Sequence, residues 1–304
     1  MMKKIVIFIL FLFVVFFAYQ YRDNIYEIYY SYFVPIENKV SKIEKNKYYR
    51  DYDFSYAQNT SDFIPHNKKD IFNIYYTIVN SGVNEFTFFC PKDYETCIED
   101  VNDLANDQNT ISDINNFVHP YNSFKTLRTE VDTTGKVYVK IEKVYDDEMI
   151  IILNYKVDDI IKENITNDMN TTEKIRKIHD YIINNTKYDK ERSDKKITQY
   201  KSDNAYGVLV ENYGLCGGYT DAMMLFLERF NLPNYKIATE NHVWNYVKVD
   251  NKWLHLDLTW DDPISESDKD ILDHSYFLID NDELKKLEND EHIYNADIYE
   301  QKSK

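Results

Sequence analysis

The sequence predicts an α+β protein whose centre is a cysteine at the start of a buried helix, set against an antiparallel sheet. Three observations carry this expectation. Apolar residues recur at helical spacing at 219, 222, 223, 226, 227 and 230, directly after Cys216. Two runs of alternating character, His242 to Val249 and Lys252 to Leu258, flank Asp250-Asn251, a pair suited to a two-residue hairpin turn. Ahead of both, helix-period and strand-period segments mix between residues 63 and 160, a smaller α+β unit preceded by an N-terminal apolar segment that reads as a membrane anchor helix.

The anchor reading rests on Lys3 and Lys4 followed by an uninterrupted apolar run from Ile5 to Ala18. Fourteen helical residues span about 21 Å, short of the ~30 Å hydrocarbon core, and Tyr19 to Tyr21 extend the segment with interfacial aromatics. Cleavage after Ala18 would set Phe16 where a signal peptidase needs a small residue, which favours an uncleaved anchor over a signal peptide. Either way residues 23 to 304 are expected outside the cell, single-pass if anchored and secreted if cleaved. Charge excludes one class of partner. The chain carries 36 basic and 52 acidic residues, a net of -16, and such a field repels nucleic-acid backbones.

Segment by segment, the expected organisation is an anchor over 1–22, a Tyr-rich juxtamembrane stalk over 23–62, a small α+β domain over 63–160 and the cysteine-bearing domain over 161–304. Within 63–160 a helix is expected from Lys68 to Val79, a strand from Glu85 to Phe89, a helix opened by Pro91 and running to Ala105, and a short helix from Ser112 to Phe117. Val137 to Val144 alternates as a half-buried strand, and Met149 to Tyr155 is expected to continue the sheet. Asn170 with Glu173 forms a capping-box pattern ahead of Ile175, Ile178 and Ile182, predicting a helix to about Asn185. Of three cysteines, Cys90 and Cys97 are the natural pair for a bridge in an oxidising compartment, which leaves Cys216 as a free thiol.

A thiol at a helix start faces unpaired backbone N–H groups and the positive end of the helix dipole. Both favour the thiolate, the reactive form, and the same N–H groups can hold an oxyanion. Gly217 and Gly218 are expected to leave the approach to the sulfur clear. On the hairpin, a two-residue turn makes directly paired residue numbers sum to 501. His242 and Asp257 sum to 499, one diagonal step on a common face with Trp244, Tyr246, Trp253 and His255. The opposite face presents Val243, Val247, Val249, Leu254, Leu256 and Leu258 to a core. An imidazole beside a carboxylate has a fixed tautomer and a supported positive charge. His255, deeper toward the turn, competes as a base. No tight ligand spacing links Cys216, His242 and His255, so neither a metal nor another cofactor is expected.

These pieces together resemble the transglutaminase-like superfamily. The resemblance is carried by EKIRKIHDYIINNTKYD (173–189), AYGVLVENYGLCGGYTDA (205–222), NHVWNYV (241–247) and KWLHLDLTWDDP (252–263), with Cys, His and Asp in order at intervals of 26 and 15 residues. It covers about residues 160–280. It implies a papain-like core and a catalytic triad of Cys216, His242 and Asp257, with Trp260, Asp261 and Asp262 as structural members of the motif. A side-chain oxyanion donor is left open among Tyr206, Asn212 and Tyr213. The implied activity is thiol acyl-transfer chemistry on amide or peptide bonds, as a peptidase or amidase acting on a protein or peptide substrate such as a cell-wall or surface protein. Protein-glutamine cross-linking and a non-catalytic, wall-organising surface module are the alternatives.

Overall fold

The computed structural model of the chain describes residues 2–22, 24–25, 28–29, 42–263 and 272–301. A first helix, α1 (Met2–Gln20), forms over the apolar segment. Among the described residues no helix is long and apolar enough to cross a membrane. The anchor helix expected from the sequence therefore has no support in the structure, nor has the single-pass placement that rested on it. Helix α1 has 19 residues, about 28 Å and just under the ~30 Å hydrocarbon core, and its first turn carries the charged Lys3 and Lys4.

Of the stretch read as a stalk, residues 23, 26–27 and 30–41 lie outside the described residues. From residue 46 onward the chain packs into the body. Arg50 is only 2% exposed. Its Nη1 donates to the carbonyls of Phe117 and Asn234, both at 2.9 Å, and its Nη2 to the Glu228 carboxylate at 2.5 Å. Glu228 is partly exposed, so the pair anchors the buried Arg50 side chain from the rim of the body. Phe54 follows, its ring against Phe117 and Tyr235.

Helix α2 (Lys68–Ser81) is capped by Asn67, whose side chain accepts the Asp70 N–H, and ends at Gly82 in the left-handed region at φ 72°. Strand β1 (Glu85–Phe89) follows. The helix expected from Pro91 begins six residues later, as α3 (Cys97–Asn106). Cys90 therefore lies outside it in extended chain, and its Cα comes within 5.7 Å of that of Cys97, with which it forms a disulfide. This loop is short, and the chain-entropy model gives the bridge about 2.5 kcal/mol. Replacing both cysteines by serine should lower unfolding free energy by that amount in a urea titration. An unchanged midpoint would show that the bridge contributes nothing.

Helix α4 (Gln108–Phe117) precedes β2 (Phe124–Val131) and β3 (Lys136–Lys143). These strands and β1 make an antiparallel sheet in the order β1-β3-β2. Residues 149–155 do not continue it. They belong to α5 (Asp147–Asn164), capped by Asp146, whose buried residues Met149, Leu153, Val157 and Ile160 recur at helical spacing. The local run Ile150-Ile151-Ile152 imitates a strand, and only the longer window shows the true period.

The capping box forms as expected. Asn170 accepts from the Glu173 N–H while Glu173 accepts from the Asn170 N–H, starting α6 (Thr171–Asn185). Strand β4 (Lys187–Tyr188), helix α7 (Lys190–Lys195), a π-helical turn over Gly207–Glu211 and strand β5 (Tyr213–Gly214) lead to α8 (Cys216–Arg229). Then β6 (Asn234–Ala238), β7 (Val243–Val249), β8 (Lys252–Leu256) and β9 (Phe277–Ile279) form one antiparallel sheet in chain order. Helices α9 (Asn281–Lys286) and α10 (Ala296–Tyr299) close the described chain.

This second sheet is buried on both sides, and each face meets a different core. Val247, Val249, Leu256 and Leu258 pack with α5, α6 and α8. Tyr235, Ile237, Trp244 and Tyr246 join an aromatic cluster with Phe54, Phe117 and Tyr299. Each large side chain so buried contributes roughly 1.5–3 kcal/mol.

Candidate active site

Cys216 is the first residue of α8 and the only cysteine outside the disulfide; it is partly exposed. The residue before it, Leu215, is extended and has no capping side chain. The first intrahelical bond runs from the Tyr219 N–H to the Leu215 carbonyl at 3.0 Å. The N–H groups of Cys216, Gly217 and Gly218 therefore precede the helical ladder and point out of its end. Gly217 and Gly218 do more than clear the sulfur. A Cβ at Gly218 would lie 2.3 Å from the Ser202 carbonyl oxygen, and one at Gly217 would lie 2.9 Å from that of Asp203. The glycines let the 202–204 loop lie directly on the helix start, where Leu215 N–H also donates to the Ser202 carbonyl at 2.7 Å.

Thr220 fixes this end of α8 to the sheet. Its hydroxyl lies 2.7 Å from the Cys216 carbonyl and 3.0 Å from that of Val243, and its own carbonyl accepts from the Asn245 side chain at 3.0 Å. His242, immediately before β7, is thereby set beside the helix start. The hairpin register is the expected one, with Val249 opposite Lys252 and Asn245 opposite Leu256. Asp250 and Asn251 take positive φ of 48° and 64°, the primed turn that suits right-twisted strands.

His242 and Asp257 meet across this hairpin. Nε2 of His242 lies 2.5 Å from Oδ2 of Asp257, and the Cys216 sulfur adds to the carboxylate in favouring the charged ring. Burial works against charge on His242, but the Asp257 carboxylate and then the sulfur outweigh it, and the imidazole is pushed up to about 10. Burial would likewise favour a neutral Asp257, yet His242 and a second histidine hold its carboxyl down to about 2. Every acceptor direction on this carboxylate is used. Oδ1 accepts the N–H groups of Thr259 at 2.9 Å and Trp260 at 3.3 Å.

That second histidine is His292, in a 3-10 turn over Asp290–His292. Its Nε2 lies 2.8 Å from Asp257 Oδ2, and its ring stacks on Tyr276 at 4.7 Å. Sequence reasoning missed it, and no signal there would have found it: it stands isolated in a polar segment 35 positions from Asp257. His242, Asp257 and His292 place potential metal-ligating atoms within 4.8 Å of one another, but all three are buried and the other oxygen of Asp257 is taken by two backbone N–H groups.

His255, the competing base, is occupied elsewhere. Its Nδ1 accepts from the Trp244 indole at 3.0 Å, and its Nε2 lies 2.9 Å from the Asn281 side-chain oxygen. Burial pushes it down to about 4, so it is neutral at physiological pH. Trp260 stands edge-on to His242 at 6.4 Å and packs on Tyr276, covering the His–Asp pair while remaining 37% exposed. Among the open oxyanion candidates, the Tyr213 ring lies flat on Tyr200 at 3.9 Å and Asn212 caps the π-helical turn in the left-handed region. Tyr206 is partly buried, with the Lys201 ammonium 4.6 Å from its ring centre.

A free thiol at a helix start, an imidazole at the head of an interior strand and a buried carboxylate thus meet at one place. Residues 159–258 match the family model described as the transglutaminase-like superfamily. Among solved structures, a crystal structure of a TGase is 16% identical, with a TM-score of 0.34, over 45% of this chain and 44% of that one. A Cytophaga hutchinsonii protein provisionally described as a cysteine protease is 13% identical, with a TM-score of 0.28, over 44% of this chain and 61% of that one. The chain thus spans less than two thirds of either. No curated protein matches it.

Proposed function

We propose that the protein is a thiol hydrolase of amide or peptide bonds, with Cys216 as nucleophile, His242 as acid–base and Asp257 as the group that orients and charges His242. The observation that carries this reading is the buried His242–Asp257 pair, 2.5 Å apart, beside a free, partly exposed Cys216 at a helix start. In the proposed cycle the sulfur attacks the amide carbon, and the oxyanion that forms is held by the Cys216 N–H at the open helix end. The His242 imidazolium then gives its proton to the leaving amine, and a thioester remains. Neutral His242 takes a proton from water, the hydroxide adds, and the acid leaves with return of the thiol proton to the Cys216–His242 pair. Hydrolysis is favoured over transfer to an amine because Cys216 is partly exposed and water reaches it.

The substrate in this reading is a peptide or protein at the cell surface or in the wall. Export through the N-terminal apolar segment belongs to the same proposal, and the Cys90–Cys97 bridge supports it because such bridges persist in oxidising compartments. The net charge of -16 sets nucleic acid aside. The test is a peptidyl vinyl sulfone library followed by mass mapping. A single adduct on Cys216 is expected, and its absence under conditions that label denatured protein would count against a reactive thiol.

A further inference from the structure

Apart from the thiol site, one cluster of titratable side chains stands at the other end of the 257–261 turn. Helix α6 supplies His179 and Asp180, the turn after β8 supplies Asp261, and His274 precedes β9. His179 is completely buried, and its Nε2 lies 3.1 Å from Oδ2 of Asp261, which is buried as well. Asp261 is held in turn, its Oδ1 accepting the Tyr276 N–H at 2.9 Å. On the other side of the ring, His179 Nδ1 lies 2.9 Å from Asp180 Oδ1, and the same oxygen lies 2.8 Å from His274 Nε2. Asp180 and His274 are each 29% exposed, so this side opens to solvent. The three ligating atoms lie within 4.8 Å of one another.

We propose that His179, Asp180 and His274 form a binding site for one divalent cation of the zinc class, separate from the thiol site. Two imidazoles and one carboxylate are a zinc donor set, and the exposed side leaves room for water as a fourth ligand. The decisive feature lies behind the ligands. A metal-bound histidine characteristically gives its second N–H to a carboxylate, which fixes the tautomer and aims the other nitrogen at the ion. Asp261 stands at that position on His179, buried and backbone-anchored, and with Nε2 carrying the proton, Nδ1 is left to ligate. The Phe277 ring walls the site, with its centre 5.2 Å from that of His179 and 5.9 Å from that of His274.

Geometry agrees with this assignment. Donor atoms on a common zinc stand roughly 3.3 Å apart, so the observed 2.8 and 2.9 Å separations need open by only about half an ångström. The ion would join α6 to a residue 94 positions further along the chain. It would also brace the turn that carries Asp257, because the Asp261 N–H donates to the Asp257 carbonyl and the Asp257 N–H to that of Tyr276.

The test uses full-length, chelator-stripped protein in a Cys216→Ser background, so that the thiol cannot ligate. Zinc chloride titrated calorimetrically should bind with one equivalent and raise the melting temperature. His274→Ala and Asp180→Asn, both at partly exposed positions, should each weaken binding tenfold or more and remove the thermal shift. His292→Phe should leave both unchanged. Three results would overturn the proposal: no saturable zinc binding, affinity in both ligand variants equal to the parent's, or loss of binding in His292→Phe, which would move the ion to the thiol site.

Discussion

Cys216→Ser should fold as the parent does and lose amide hydrolysis by on the order of 10⁴-fold or more. The serine oxygen fits where the sulfur stands, since Cys216 is partly exposed and ends no core contact that a hydroxyl would break. The N–H groups of the first turn and the Thr220 link to Val243 remain. What is lost is sulfur, a far better nucleophile toward an amide carbon than a neutral hydroxyl. Circular dichroism should give a melting temperature within ~2 °C of the parent, while amine release from peptides found by adduct mapping should vanish. Retention of a tenth of the parent rate would remove Cys216 from the chemistry.

Asp257→Asn should lower kcat/KM by on the order of 10³–10⁴-fold and move its alkaline limb to lower pH. The sign follows from the environment of His242. Burial disfavours the imidazolium, and the negative charge of Asp257 opposes burial more strongly than any other neighbour, holding the ring at about 10. Acylation needs that proton for the leaving amine, so kcat/KM should persist in the parent until pH approaches 10 and then fall. With an amide in place of the carboxylate, burial prevails and the imidazole gives up its proton at lower pH. A pH–rate profile of both proteins measures the shift, and an unmoved alkaline limb would show that Asp257 does not set the charge on His242. His292→Phe keeps the ring stack on Tyr276 but deletes one hydrogen bond to the Asp257 carboxylate. The expected loss is about tenfold, the weight of one charge-assisted bond.

Both effects depend on a carboxylate that is 1% exposed yet charged. An isolated buried carboxylate would take up a proton. Asp257 avoids this through four partners, of which the sequence showed one. His242 was legible because a two-residue turn and a period of two fix which residues share a face. The Thr259 and Trp260 N–H groups come from a turn that the sequence does not specify, and His292 comes from a segment with no periodic pattern.

The same division runs through the molecule. By itself the sequence determined the features written in neighbouring residues: the capping box of Asn170 and Glu173, the helix that starts at Cys216, and the hairpin centred on Asp250-Asn251. In each case backbone geometry repeats every two or 3.6 residues, and side chains report it directly. Tertiary structure decided the rest. It covered the aromatic face of the second sheet with residues 54, 117 and 299 and drew Arg50 into the end of α8. It also occupied His255 with Trp244 and Asn281, and brought His292 to Asp257. These contacts join positions tens to hundreds of residues apart. No local period encodes them, because their stability comes from area and charge buried only once the chain has closed on itself.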